Sequence, residues 1–275
     1  MSEHHFDTAQ PVRLFAEIGK GSVKVVAVEP AETHVQITGR DADQVLVRQE
    51  GSQITVVGPK QRGLVSFGNS DRLDVLITLP TYSEVAVRTG SADVTVTGTV
   101  STAQLKSGSG DLEVDVAEGP LSLETGSGDV RVEHAGGALK AKSGSGDVLV
   151  VDAAEALMVS TGSGDVQLWN TRGPAVVKTG SGDLKVGEAG TDVSFSTGSG
   201  DLVVKTASRG RVTAKCASGD VHIGIRAGIP VWTEISTVSG EIRSSLQGAG
   251  EPAEGAEHIE VRARTVSGDV VLTEV

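Results

Sequence analysis

The sequence is short of the residues on which disulfide-rich and disordered chains depend. Cys216 is the only cysteine in 275 residues, so no intramolecular disulfide can form and nothing indicates an oxidising compartment. Aromatic residues make up 3% of the chain and there are only 8 prolines, whereas 38% of the residues are apolar. Such a chain is expected to fold, with Val, Leu, Ile and Ala filling thin layers.

Charge and hydropathy argue against several classes of protein. The formal net charge is -12 and no local cluster of Lys and Arg stands out, so we predict no nucleic-acid partner. No run approaches the about 18 apolar residues of a membrane span, so we predict no membrane insertion. The first residues lack a basic segment followed by an apolar one, which predicts a cytoplasmic protein.

An acidic residue recurs with a fixed period, each time within a tetrad Ser-(Gly/Ala)-(Asp/Glu)-aliphatic. The strict copies, spaced by 18 residues, are Asp93, Asp111, Asp129, Asp147, Asp165, Asp183 and Asp201. Three looser copies follow at Asp220, Glu241 and Asp269, with spacings of 19, 21 and 28 residues and insertions such as GAGEPAEGAE at 248–257. A strict internal period of this kind indicates a repeat architecture.

Each copy predicts two strands. The residues one and three places after the acid are aliphatic, as in Val130 and Val132, and a second alternating run precedes the acid, as in Leu121 and Leu123. Glycine-rich turns join the strands, and we attribute the glycines to backbone angles that other residues resist. We predict an all-β fold, an elongated parallel β-solenoid with about 18 residues and two strands per coil. An antiparallel meander of hairpins has the same period and is the alternative.

The period also divides the chain. Residues 1–10 are expected to be a disordered N-terminus. Residues 11–80 alternate like strands but lie outside the register, so we assign them to an irregular β cap at the N-terminal end, because an uncovered solenoid end would template association. Residues 81–275 are the solenoid, with a strict period over about 85–204 and looser coils over 205–275.

The stretch LDVLITLPTYSEVAVRTGSADVTV, followed by KSGSGDLEV, ETGSGDVRV and further copies, resembles the bacterial putative-adhesin family of β-strand-repeat proteins. Members of that family carry SGD(V/I/L) tetrads after an extended strand ending in Leu-Pro. The resemblance covers roughly residues 11 to 275. It implies a β-solenoid and no established activity.

No catalytic constellation is present in the sequence. It has no GxSxG elbow, Walker loop, HExxH or paired CxxC. Its histidines fall at unrelated repeat positions and predict no metal site: His4, His5, His34, His134, His222 and His258. We therefore predict a non-enzymatic structural or interaction module without a cofactor, which presents a regular acidic edge to a protein or surface partner.

The acidic residues have two interpretations. Stacked about 4.8 Å apart, neighbouring carboxylates repel by roughly 0.9 kcal/mol even in water, so something must offset the repulsion. The first interpretation is architectural: each acid accepts hydrogen bonds from backbone N–H groups of the turn and from serines such as Ser109, Ser127 or Ser145. Cations five residues before several acids, Lys142, Lys178 and Lys215 among them, are expected to screen the row.

The second interpretation is a calcium-stabilised binding module with the strict acids, Asp93 to Asp201, as ligands. The sequence lacks the nonapeptide pattern of the known calcium roll, which places one residue between glycine and Asp.

Trp169 and Trp232 are a separate candidate, because they fall at outward phases of the alternation. They are predicted either to contact a partner or to cover a groove near a corner.

Overall fold

The alternating runs of the sequence form strands in a computed structural model, which describes residues 1–8, 10–29, 32–59, 72–246 and 258–275. These residues belong to two compact units, Met1–Gly137 and Ala138–Val275. The insertion at 248–257 lies outside the described residues. Within them, no helix is long and apolar enough to cross a membrane.

The first unit consists of strands and one turn of 3-10 helix, Ala42–Gln44. Its strands are β1 (Ser2–Phe6), β2 (Arg13–Ile18), β3 (Gly21–Val28), β4 (Thr33–Thr38), β5 (Leu46–Glu50), β6 (Gln53–Val57), β7 (Leu73–Pro80), β8 (Glu84–Thr89), β9 (Asp93–Val100), β10 (Thr102–Ser107), β11 (Leu112–Ala117), β12 (Leu121–Thr125) and β13 (Val130–Ala135). Sheet 1A has the order β1, β4, β7, β3, β9, β11, β13, and sheet 1B has the order β12, β10, β8, β2, β6, β5. The pairs β1–β4, β4–β7 and β5–β6 are antiparallel, and the other pairs are parallel.

The second unit repeats the same plan. Its strands are β14 (Leu139–Ser143), β15 (Val148–Ala153), β16 (Leu157–Thr161), β17 (Val166–Thr171), β18 (Ala175–Thr179), β19 (Leu184–Ala189), β20 (Val193–Ser199), β21 (Leu202–Ala207), β22 (Gly210–Ser218), β23 (Val221–Ile225), β24 (Val231–Ser239), β25 (Ile242–Ser244), β26 (Ile259–Ser267) and β27 (Val270–Glu274). Sheet 2A has the order β15, β17, β19, β21, β23, β27, β25, and sheet 2B has the order β24, β26, β22, β20, β18, β16, β14. Every pair between described strands of this unit is parallel.

The strict repeats stack in register. In the first unit Leu112 pairs with Val94 on one side and Val130 on the other, and in the second unit Val166 pairs in the same way with Val148 and Leu184. The prediction of a parallel β-solenoid with two strands per coil is confirmed, and the antiparallel meander is wrong for these strands. Side chains one and three places after each strict acid are buried, so they form the core together with the apolar residues of the facing sheet.

The N-terminal region differs from the expectation. Ser2–Phe6, expected to be disordered, is a strand because its backbone pairs with β4. Within residues 11–80, β2, β3, β6 and β7 join the parallel ladders, while β1, β4 and β5 provide the antiparallel strands at the outer edges. In space the coil formed by β2 and β3 lies between β6/β7 and β8/β9, although β6 and β7 come later in the chain.

The last coils of the second unit also depart from sequence order. Successive repeats were expected to stack one after another, but β26 and β27 lie between β22/β23 and β24/β25. The acids therefore follow one another in space as Asp220, Asp269 and Glu241. The inward positions of β26 are apolar from Ile259 to Ala263, whereas those of β24 include the exposed Thr233. β24 is therefore better suited to the edge of the sheet, where one side has no neighbouring strand to bury it.

The glycines that precede the acids are required by close packing. A Cβ atom on Gly164 would lie 2.0 Å from the carbonyl oxygen of Gly146, and one on Gly182 would lie 2.0 Å from that of Gly164. Neither glycine has a φ in the left-handed region. The expectation that special backbone angles select glycine is therefore wrong for Gly164 and Gly182, where contact between stacked coils selects it instead. It holds for Gly98, Gly219 and Gly268, whose φ values are 84°, 144° and 155°.

Candidate functional site

The stacked acids, which we call the acid row, are linked by hydrogen bonds from coil to coil. The amide of Asp111 donates to Oδ1 of Asp93 at 3.0 Å, and that of Asp129 donates to Oδ1 of Asp111 at 2.8 Å. In the second unit the amide of Asp183 donates to Oδ1 of Asp165 at 2.9 Å. Bonds of the same kind, each 2.8 Å long, run from the amides of Asp165, Asp201, Asp220, Asp269 and Glu241 to Oδ1 of Asp147, Asp183, Asp201, Asp220 and Asp269 respectively. One oxygen of each accepting carboxylate is thus committed to the backbone.

Buried hydroxyl groups hold the turns that carry the row. Oγ1 of Thr125 donates to the carbonyl of Gly110 at 3.0 Å and accepts the amide of Gly128 at 3.1 Å. The hydroxyl of Ser107 likewise accepts the amide of Gly110 at 2.7 Å. The exposed central serines of the tracts, such as Ser127, were predicted to make these turn bonds. The structure gives the turn bonds to the buried residue two places earlier.

The row favours the architectural interpretation, with one change. The amides that the carboxylates accept belong to the next coil, so each bond joins two coils rather than closing one turn. The lysines five residues before the acids were expected to screen the row. Within the described residues, however, no ion pair joins Lys142, Lys178 or Lys215 to its carboxylates. The calcium interpretation stays a hypothesis.

We expect Asp165→Asn to change the free energy of unfolding by no more than about 1 kcal/mol, with no dependence on calcium. The Asn carbonyl oxygen still accepts the amide of Asp183, and the lost charge relieves repulsion from its neighbours. Thermal unfolding in millimolar calcium, against sodium chloride of equal ionic strength, measures this. A calcium-specific rise in the wild-type melting temperature that Asp165→Asn weakens would support the calcium module.

The outward face of sheet 2B carries an excess of positive charge that the sequence analysis missed. Its cations are Lys140, Lys142, Lys178, Arg211, Lys215, Arg262 and Arg264, and its carboxylates are Glu234 and Glu260. The whole chain, in contrast, has a formal net charge of -12. The cations come from four strands that are far apart in sequence, β14, β18, β22 and β26, and only the stacking of the coils brings these strands into one face.

Part of this excess is arranged as a straight line across the strands, which we call the cationic file. In register from β14 to β24 it comprises Lys142, Ser160, Lys178, Ser196, Lys215, Arg264 and Ser236. The four cations are exposed. Arg264 pairs with Glu234 at 2.5 Å, whereas the three lysines have no ion pair within the described part of the chain.

The corresponding line in the first unit is different. There Glu17, Arg88, Lys106 and Glu124 lie in register, so positive and negative charges balance. Lys106 and Glu124 form an ion pair of 2.9 Å. The unpaired lysines of the cationic file are therefore a local property of the second unit and not a general feature of the repeat.

Arginines and one tryptophan border the cationic file. Trp232 is 49% exposed, and the guanidinium carbon of Arg262 lies 5.6 Å from its ring centroid. Burial alone would raise the pKa of Glu260, but hydrogen bonds and charge from Arg211 and Arg262 hold it below its ordinary value. Glu260 is therefore ionised and binds Arg211 and Arg262. Its charge does not neutralise the lysines of the file.

Trp169 lies on the opposite sheet, 2A, and is 56% exposed. Nζ of Lys205 stands 5.5 Å from its ring centroid. A small recess of about 80 Å³ adjoins the ring; Lys185, Gly187 and Lys205 are among the residues that line it, and Gly187 has no side chain to fill it. Trp169 thus borders a groove and is also open to a partner, and its predicted role as a contact stays a prediction.

Two further groups complete the candidates. The structure brings together Glu3, His5 and His34, whose possible ligand atoms all lie within 4.8 Å of one another, although the sequence analysis predicted no metal site. Cys216 is buried, and burial together with the nearby Asp201 charge raises its pKa to about 11. The thiol is therefore protonated at neutral pH and is a core residue rather than a nucleophile.

The chain was compared with curated proteins and with solved structures. No curated protein matches the chain. A putative adhesin from Bacteroides fragilis is 12% identical with a TM-score of 0.42, covering 100% of this chain and 96% of its own. One from Parabacteroides distasonis is 14% identical with a TM-score of 0.36 over 100% and 96% of the two chains. One from Parabacteroides merdae is 13% identical with a TM-score of 0.33 over 98% and 95%. Scores and identities at this level carry no functional argument.

The family model is more informative, because it spans nearly the whole solenoid. The model described as Toastrack DUF4097 matches residues 17–273, a range that includes the strict repeats of both units and the loosely spaced final copies. With its parallel coils and its glycine-acid turns, this chain belongs to the Toastrack DUF4097 family.

Proposed function

We propose that the protein is a non-enzymatic binding module that holds an extended anionic polysaccharide along the cationic file. The observation that carries the proposal is the line of exposed Lys142, Lys178 and Lys215, unpaired within the described residues of a chain with a net charge of -12. Exposed cations without partners on an acidic protein are a site for negative charge.

The spacing of the file fits a linear polymer. Neighbouring strands lie about 4.8 Å apart, so lysines on alternate strands repeat their charge every ~9.6 Å along a straight line. The strands are held in register by the backbone ladder, which fixes this spacing before any partner arrives. A rigid, regularly charged line binds an extended chain with little loss of its own conformational entropy.

The side chains between the cations favour a sugar polymer. Ser160 and Ser196 stand between the lysines in the same file, and hydroxyl groups both donate and accept hydrogen bonds, as neutral sugar hydroxyls require. Single-stranded nucleic acid is bound largely by stacking on several aromatic rings. Among the described residues, Trp232 is the only aromatic side chain on the outward face of sheet 2B, so the face has no series of rings for bases to stack on.

The acid row is not the surface that we assign to a partner. Its carboxylates already accept backbone amides, and a partner would have to compete with those bonds. The row instead strengthens the contact between coils and so keeps the outward faces regular. On this proposal the acidic edge supports the surface and the cationic file carries the binding.

We expect hyaluronan oligosaccharides, which bear one carboxylate per disaccharide, to bind with an affinity that falls as sodium chloride is raised. The triple variant Lys142→Ser, Lys178→Ser, Lys215→Ser should lose about tenfold or more in affinity, because three ion pairs are removed. Isothermal titration calorimetry at two salt concentrations measures both effects.

The matched control is Lys24→Ser, Arg48→Ser, Lys185→Ser, which removes the same charge from exposed positions outside the file and should retain binding. Neutral dextran should not bind to either protein. Equal losses in the two triple variants would mean that only net charge matters. Preferred binding of oligo-dT or of phosphatidylserine vesicles would assign the file to nucleic acid or lipid and would sink the polysaccharide proposal.

A further inference from the structure

We propose that Glu3, His5 and His34 form a binding site for a divalent transition-metal ion of the zinc type. The three residues lie on the antiparallel strands β1 and β4 of the first unit, where His5 is directly opposite His34 and Glu3 is opposite Gln36. Glu3 and His5 are two residues apart on β1, so they share one face of the sheet. Register alone therefore brings two imidazoles and one carboxylate together.

The geometry is close to what a metal ion needs. The three candidate ligand atoms lie within 4.8 Å of one another, and the imidazole rings of His5 and His34 are stacked at 4.1 Å between centroids. Zinc binds nitrogen and oxygen ligands at about 2.0 to 2.2 Å, which places neighbouring ligands of a tetrahedral site about 3.4 Å apart. Glu3 and His5 are exposed, so side-chain rotation is free to close the difference.

A second observation points to a ligand at this place. Nε2 of His34 is buried and has no hydrogen-bond partner. A buried ring nitrogen without a partner is unfavourable, because it has lost water and gained nothing in exchange. An ion bound by His34 would provide the ring with the interaction that the protein does not.

The donor set indicates which ions fit. Two imidazoles and one carboxylate suit zinc and its neighbours in the first transition series, whereas calcium and magnesium prefer oxygen ligands alone. Three protein ligands leave a fourth position for water. Nε2 of Gln36 donates to Oε1 of Glu3 at 3.0 Å, so it orients the carboxylate that would bind the ion.

The test is titration of the full chain with zinc chloride, followed by isothermal titration calorimetry. We expect one ion per chain with micromolar or tighter affinity. His5→Gln should weaken binding at least about 100-fold, since even the loss of an outer-shell partner costs 10- to 100-fold. His5 is exposed, so this variant should fold; His34→Gln provides the second test, and its folding is checked by circular dichroism.

The control is His4→Gln, which removes the adjacent histidine on the opposite face of β1, where His4 is in register with Val35. This variant should bind zinc as the wild type does. Cobalt provides an independent readout, because tetrahedral cobalt with nitrogen and oxygen ligands has visible absorption that His5→Gln should abolish. No zinc binding, or binding that is lost in His4→Gln and kept in His5→Gln, would overturn the proposal.

Discussion

Val166→Asp is expected to lower the free energy of unfolding by about 4 kcal/mol or more, which corresponds to roughly 10 °C in melting temperature. Val166 is fully buried and lies in register between Val148 and Leu184 in sheet 2A. A carboxylate there would be surrounded by aliphatic side chains of its own coil and the coils next to it. Urea titration followed by circular dichroism measures the loss.

The control for this change is one residue further along the same strand. Gln167 is exposed and lies in register with Lys185, so Gln167→Asp places the same charge on the outward face beside a cation. Its effect should stay within about 1 kcal/mol. Equal unfolding midpoints for the two variants would contradict the inward and outward phases of the strand.

Gly182→Ala is expected to destabilise the protein by about 3 kcal/mol, the upper end of ordinary overpacking. The added Cβ would lie 2.0 Å from the carbonyl oxygen of Gly164, which is backbone and cannot rotate away. The two coils must separate at this corner, and the bond from the amide of Asp183 to Oδ1 of Asp165 must lengthen with them. Urea titration and hydrogen exchange of the Asp183 amide measure the two effects.

Ser181→Ala is the matched control, because Ser181 is exposed in the same turn. Removing its hydroxyl should leave both the unfolding midpoint and the exchange of the Asp183 amide near the wild-type values. If Gly182→Ala were as stable as Ser181→Ala, the close approach of stacked coils would not be the reason for glycine at this position.

The core was predictable because strand alternation is a local property. Val130 and Val132 are two residues apart in sequence, and that spacing already places them on one face of a strand. A constant interval of 18 residues then fixes which side chains stack, as the pairing of Leu112 with Val130 shows. Both facts can be read from the sequence without knowledge of distant contacts.

The order of the end coils was not predictable in this way. Local alternation is as clear in β26 as in β22, and it does not say which coil lies next to which. Only the polar inward positions of β24, such as Thr233, indicate an outer coil, and that signal is weak. Insertion of a later coil between two earlier ones depends on nonlocal packing.

The candidate sites were missed for related reasons. The lysines of the cationic file, such as Lys178 and Lys215, were visible as residues five places before an acid, but were interpreted as screening charges for the acid row. Their alignment in one line across the sheet, and their lack of ion pairs among the described residues, appear only in the folded structure. His5 and His34 are brought together by an antiparallel pair that lies outside the repeat, so the 18-residue period says nothing about them.

The inserted coil also sets the order in which this end of the second unit can fold. β24 has β26 as its only described neighbour in sheet 2B, and β25 has only β27 in sheet 2A. During synthesis β24 and β25 therefore leave the ribosome before the strands that hold them. The strict coils can assemble one after another as the chain emerges, but this end must wait and then close around a later segment.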